Sequence, residues 1–178
     1  MENKKTLNIA DIPEFTDPGT YRIDQPLKDM PRWVKEHVEE MGLQLNPDFQ
    51  RGHVWTPEQE TAYMEFVLRG GNTGRDLYFN HPNWMGSFEG EFVCVDGLQR
   101  LTTVLKFMND EVPVFGGYVA SQIKGLKNTL CKYSFSIHIN NLKTRKEVIK
   151  WYLEMNSGGT PHSQEELNRV RELLAEEE

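Results

Sequence analysis

The chain has 178 residues and a mass of 20.7 kDa, a length that suits one domain burying roughly two-thirds of its unfolded surface. Its 38% hydrophobic content, with aromatic residues spread from Phe15 to Tyr152, excludes a compositionally disordered chain. A formal net charge of −7 excludes a protein whose whole surface holds nucleic acid through counterion release.

The opening residues "MENKKTLNIADIPEF" lack the apolar core of a signal peptide, and no stretch approaches the ~20 apolar residues of a membrane span. A cytoplasmic location without membrane partners is expected. Cys94 and Cys131 form no metal-ligand spacing, and Cys94 sits in an apolar run, so neither a disulfide nor structural zinc is expected. Residues 1–20 read as an N-terminal arm, and 21–178 as one domain.

"TYRIDQPL" reads as an extended segment or strand. In "DMPRWVKEHVEEMG", Pro31 suits a first helical turn, Trp33, Val34, Val38 and Met41 share a face, and Gly42 ends the helix. "LQLNPDFQRGHVW" is extended, with a turn at Asn46 and Pro47. "TPEQETAYMEFVLRGG" carries a complete start signal: Thr56 caps, Pro57 fills the first turn, Gln59 closes a capping box, and a glycine pair stops the helix.

"GRDLYFNH" and "GEFVCV" read as strands. A helix from Leu98 follows, with Leu101, Val104, Leu105 and Met108 on one face. "YSFSIHIN" alternates Phe135, Ile137 and Ile139 with polar residues, which buries one face and turns His138 to solvent. Thr144 with Glu147, and Ser163 with Glu166, open two more helices. Short strands broken by helices without a regular βαβ repeat predict a compact α+β domain with a small mixed sheet and flanking helices.

The chemistry concentrates at the junction of "VCV" and "LQRLTTVLKFM". Asp96 and Gly97 join strand to helix there, and the free amides and positive dipole end of that helix favour phosphate, with glycine letting the ligand close on the backbone. Arg100, one turn along, adds a planar donor fork. Asp96 can hold a hydrated Mg²⁺ beside the phosphates or accept a ribose hydroxyl, and Gln99 can orient a water or read a base. The plainer reading makes Asp96 a helix cap, Arg100 its ion-pair partner, and Gln99 a solvent-facing residue. A second cluster, "FQRGHVW", sets Gln50 and Arg51 beside a glycine, with Trp55 able to anchor the turn and Arg51 able to meet the same anion.

"NPDFQRGHVWTPEQETAYMEFVLRGG", "VCVDGLQRLTTVLKFMND" and "WYLEMNSGGTPHSQEEL" together resemble the N-terminal domain of GmrSD-type (type IV) restriction proteins, a domain whose fold is similar to the ParB and sulfiredoxin families. That family's motifs read Y/F-Q-R-x-x-x-W, D-G-Q-Q-R-L-T-T and L-N-x-x-G-x-x-L-x-x-x-E-L. The resemblance implies a nucleotide-binding, NTP-hydrolysing module in which Gln50, Arg51, Asp96, Gly97, Gln99 and Arg100 surround the phosphates. Asn156 and the glycines after it would close over the ligand, although Gly158 serves equally as a helix cap. The implied cofactors are an NTP of unknown base and Mg²⁺. Leu98 departs from the family's first glutamine, Met155 from a leucine, and His162 from a core leucine.

Relatives carry a C-terminal H-N-H nuclease. The histidines here form no such metal motif and eleven residues follow Leu167, so a stand-alone version is expected, as a phage or mobile element would encode, located in the host cytoplasm and acting in restriction or counter-restriction through a separate nuclease or host defence protein. Two other functions compete with nucleotide binding. One is metal-dependent DNA nicking in which Asp96 joins another carboxylate; the other is a non-catalytic regulator that docks through its acidic C-terminal helix. His53, between Arg51 and Trp55, is a candidate ligand contact or general base. Segment 124–150 holds seven lysines or arginines against the one acid Glu147, a candidate DNA-binding face whose alternative is a solvated helix surface.

Overall fold

The computed structural model describes residues 7–156 and 164–177. Expectations for Gly158, His162 and the Ser163 cap lie outside them. The elements in order are β1 (Tyr21–Pro26), α1 (Met30–Met41), α2 (Pro57–Leu68), β2 (Asp76–Asn80), β3 (Val93–Asp96), α3 (Leu98–Met108), α4 (Leu126–Lys132), β4 (Ser134–Asn140), α5 (Arg145–Asn156) and α6 (Gln164–Glu176). The fold is α+β, as the mixed order of elements requires.

Four strands form one sheet in the order β1-β4-β2-β3. β1 runs antiparallel to β4 and β3 antiparallel to β2, while the central pair β2 and β4 is parallel. The period-2 alternation of β4 holds: Phe135, Ile137 and Ile139 are buried, and they meet Leu77 and Phe79 of β2 in a cluster that α1, α2, α3 and α4 complete through Met30, Met64, Leu101 and Leu130. The other sheet face is not open. Val93 and Val95 pack there against Val148, Ile149, Trp151 and Tyr152 of α5 and Val170 of α6.

That second layer corrects two expectations. His138 does not face solvent: its side chain is 13% exposed, Nε2 lies 2.9 Å from Asp76 Oδ1, and the ring stacks on Tyr78. Segment 124–150 is no single face, because α4 packs into the first cluster and α5 into the second. Within α5, Arg145 binds Asp48 and Glu177, and Lys150 pairs with Glu154. His81, in the loop after β2, is fully buried, and Val38 in α1, placed with the apolar face of that helix, is 42% exposed.

As an edge strand, β3 would present unpaired carbonyls and amides to solvent. The extended stretch before α2 covers it. Gln44 makes a parallel bridge to Val93, with Gln44 N donating to Phe92 O (2.8 Å) and Cys94 N to Gln44 O (2.9 Å). The capping box of α2 forms as read: Thr56 Oγ1 accepts from Gln59 N, and Gln59 Oε1 accepts from Thr56 N at 2.9 Å. Thr56→Ala removes one of these bonds and should cost about 1 kcal/mol, lowering the melting temperature by about 2–4 °C; an unchanged melting curve would show that the box contributes nothing to α2.

Candidate functional site

β3 ends at Asp96 and α3 begins at Leu98, so one residue makes the turn. Gly97 takes φ 105°, and a Cβ built there would come within 2.5 Å of Leu77 Cδ2 and 3.3 Å of Arg100 Nη2. Both the left-handed backbone and the close approach demand glycine. Gly97, not Asp96, is the N-cap of α3, and no side chain caps the first-turn amides. The plainer reading of Asp96 as the cap is thereby corrected, while its pairing with Arg100 holds.

A cleft of about 250 Å³ opens over this turn, lined by Gln50, Arg51, Trp55, Asp96, Gly97, Leu98, Gln99, Arg100, Met155 and Asn156. Except for His53, every candidate site residue from the sequence lines it. Arg51, before α2, and Arg100, after β2, both line this one cleft. A larger and more open groove of about 770 Å³ includes Lys28, Asp29, Arg32 and Leu126. Two of its three cations, Lys28 and Arg32, pair with Asp29, leaving Lys127, and size alone does not outweigh the convergence of polar groups in the smaller cleft.

Within the cleft the polar atoms have distinct partners. Gln50 Nε2 donates to Cys94 O (3.2 Å) and Val95 O (2.8 Å), supplying the edge of β3 with the donor that a neighbouring strand would have given. Gln99 Oε1 accepts from Val54 N (2.8 Å) and Trp55 N (3.1 Å), and its Nε2 donates to Gly52 O (2.6 Å). Its amide thus fastens the Gly52–Trp55 loop. Arg100 Nη2 donates to Asp96 Oδ2 (2.7 Å) and Asp76 O (2.9 Å), and its Nε is buried with no hydrogen-bond partner among the described residues. Burial works to lower the Arg100 pKa, but the Asp96 carboxylate outweighs it and the net shift is upward. Arg100 stays charged.

Trp55 stands at the wall with its ring 5.3 Å from Tyr63, edge to face. Asn156 Nδ2 donates to Tyr152 O at 2.8 Å, which places it at the end of α5 beside the cleft. Burial pushes the Tyr152 phenol up to about 12, against the opposing pull of Arg51. His53 turns elsewhere: its Nε2 lies 2.6 Å from Glu60 Oε1, and Lys106 Nζ reaches both oxygens of the same buried carboxylate. Among the described residues no group of three His, Cys, Asp or Glu side chains is placed to hold a metal. Asp96 is the one carboxylate among the cleft's described lining.

Three residues are not read from the sequence as part of the site, Glu166 being read there as the capping partner of Ser163. Glu60 falls on the buried stripe of α2 with Met64 and Val67, and an acid on such a stripe signals a buried ion pair. Glu166 of α6 lies 3.6 Å from Arg51, and it matches the E-L of the third motif. Arg169 Nη1 donates to Asp48 O (2.6 Å), and Nη2 to Gln50 O (3.2 Å) and Phe49 O (3.4 Å). Nothing local in the sequence marks Arg169, because its partners lie 119–121 positions away.

The family described as GmrSD restriction endonuclease, N-terminal domain, matches residues 34–171. The chain belongs to that family. The match starts within α1 and ends within α6, so both walls of the cleft fall inside it. No curated protein and no solved structure matches the chain, and the expected likeness to ParB and sulfiredoxin folds stays with the resemblance.

If Gln99 holds the loop, Gln99→Ala should speed hydrogen exchange of the Val54 and Trp55 amides by about tenfold or more while α3 keeps its protection. Unchanged exchange at both amides would assign the loop's order to other contacts.

Proposed function

We propose that this GmrSD-family domain binds a nucleotide through its phosphates in the cleft over the β3–α3 turn, and serves DNA restriction. The observation that carries the reading is the convergence of Arg51, Arg100 and the uncapped first turn of α3 on one cleft. Free amides at a helix start and two guanidinium groups are the donors that phosphate oxygens take. The unpartnered Nε of Arg100 fits an oxyanion that would supply its missing acceptor.

In this reading Arg51 and Arg100 share the phosphates, the backbone at Gly97 and Leu98 approaches them, and Trp55 offers an aromatic ring to the base. Gln50 and Gln99 act as positioning residues through the chain segments that their amides hold. Asn156 contributes the wall at the end of α5. Asp96 would hold Mg²⁺, which is commonly bound through one or two carboxylates with phosphates and waters. When bound, the ion would neutralise charge on the phosphates.

Binding is better supported than hydrolysis. The amide that was a candidate for orienting water, Gln99, is committed to three backbone contacts, and His53 is committed to Glu60. Asp96 is then the remaining candidate for hydrolysis among the residues named from the sequence. The link to restriction rests on the family whose described member is a restriction endonuclease.

Thermal melting with a nucleoside triphosphate and Mg²⁺ tests the reading. A ligand at 100 times its Kd raises stability by about 2.7 kcal/mol. Arg100 is walled in by Asp76 and Asp96, so Arg100→Lys, which keeps the charge and loses the fork, is a milder probe than truncation. It should retain most of the unliganded stability and lose at least about 1.4 kcal/mol of the ligand-induced gain, a tenfold loss of affinity. A full ligand shift in the Lys variant would remove Arg100 from the site. Cleavage of supercoiled plasmid with Mg²⁺ and no nucleotide response would favour the nuclease reading instead.

A further inference from the structure

Arg51 does not face the cleft unpartnered. Its Nη1 lies 3.6 Å from Glu166 Oε2, with the two side chains 21% and 30% exposed. Glu166 stands in the first turn of α6, one turn before Arg169, whose guanidinium holds three backbone carbonyls of the segment that carries Arg51. At the far end of α6, Arg145 Nε donates to Glu177 Oε1 at 3.1 Å. Val170, fully buried, fixes the middle. α6 is thus anchored along its length by an arginine clamp, an apolar contact and a terminal ion pair. The contact at its head runs through a candidate phosphate ligand.

A carboxylate and a phosphate offer a guanidinium the same thing: negative oxygens within reach of its N–H fork. They cannot share it freely. Two anions brought to one half-buried cation repel each other, and the sheltered site screens that repulsion less than open solvent would. Resting on the phosphate-site reading of Arg51, we infer that Glu166 is a built-in competitor for the ligand: it occupies Arg51 in the unliganded protein, and phosphate binding displaces it and loosens the head of α6. The coupling is reciprocal, since whatever holds Glu166 on Arg51 weakens phosphate binding by the factor through which phosphate weakens that contact. α6 thereby reports whether the cleft is filled.

The opposite sign belongs to a different role. If Glu166 only orients Arg51 for the ligand, its removal weakens phosphate binding. Titration calorimetry with inorganic tripolyphosphate on wild type and Glu166→Gln separates the two. The amide keeps the shape and removes the charge, and affinity should rise about tenfold, within the usual range of coupling between sites. Equal or weaker binding by the variant, with wild type binding, overturns the competition and leaves the phosphate site standing. Binding by neither protein sinks the phosphate-site reading and the inference with it. A second measurement needs no variant. Adding tripolyphosphate to wild type should speed hydrogen exchange across residues 165–168 while the Val170 amide stays protected, and unaltered exchange there overturns the inference even if Glu166→Gln fails to fold.

Discussion

The cleft exists because two glutamine amides tie together segments that are far apart in the chain. Gln50 reaches from the extended stretch before α2 to the carbonyls of Cys94 and Val95, and Gln99 reaches back from α3 to Gly52, Val54 and Trp55. Each amide hydrogen-bonds backbone groups of a segment more than forty positions away. A hydrogen bond of this kind contributes about 0.5–1.5 kcal/mol, so the set of them is a strong constraint on a domain whose whole stability is of the order of 5–15 kcal/mol. Arg51 follows Gln50 and Arg100 follows Gln99. The neighbours of the two cations are therefore the fasteners that set where the cations stand.

Charge is divided along similar lines. The chain is acidic overall, yet the cleft brings two arginines together, because other arginines do the structural work. Arg145 and Arg169 hold the segment around Asp48 and Phe49 from α5 and α6. This leaves Arg51 and Arg100 facing the cleft with carboxylates, Glu166 and Asp96, as their partners. Lys106 and His53 likewise spend their donors on the buried Glu60, one turn into α2. That cluster pins the base of the same loop that Gln99 fastens from above. Such a site has its cations balanced by neighbouring carboxylates, and under the proposed reading a phosphate would compete with those neighbours as well as with water.

Local features were legible from the sequence because their causes are local. The capping box at Thr56 and Gln59, the stop at Gly42 and the alternation in β4 each involve residues within a few positions of one another. The membership of the cleft was legible too, since three motifs in order carry it. The roles inside it were less so. Gln99 looks the same in sequence whether it meets a water or three backbone groups, and the difference depends on a loop 44–47 positions away. His138 follows the alternation faithfully, but the alternation says only which residues share a face, and α5 covers that face. The division of the basic segment between α4 and α5 depends on the sheet order, which no local pattern encodes.

In the proposed reading, Arg51 and Arg100 grip one phosphate group over the start of α3. A crystal structure grown with a non-hydrolysable nucleoside triphosphate and Mg²⁺ tests it most directly. Phosphate oxygens are expected within hydrogen-bonding distance of both guanidinium groups and of the first-turn amides of α3, with the base toward Trp55. A nucleotide seated instead in the larger groove beside Lys28 and Arg32, with the Arg51 and Arg100 contacts unchanged, would contradict it.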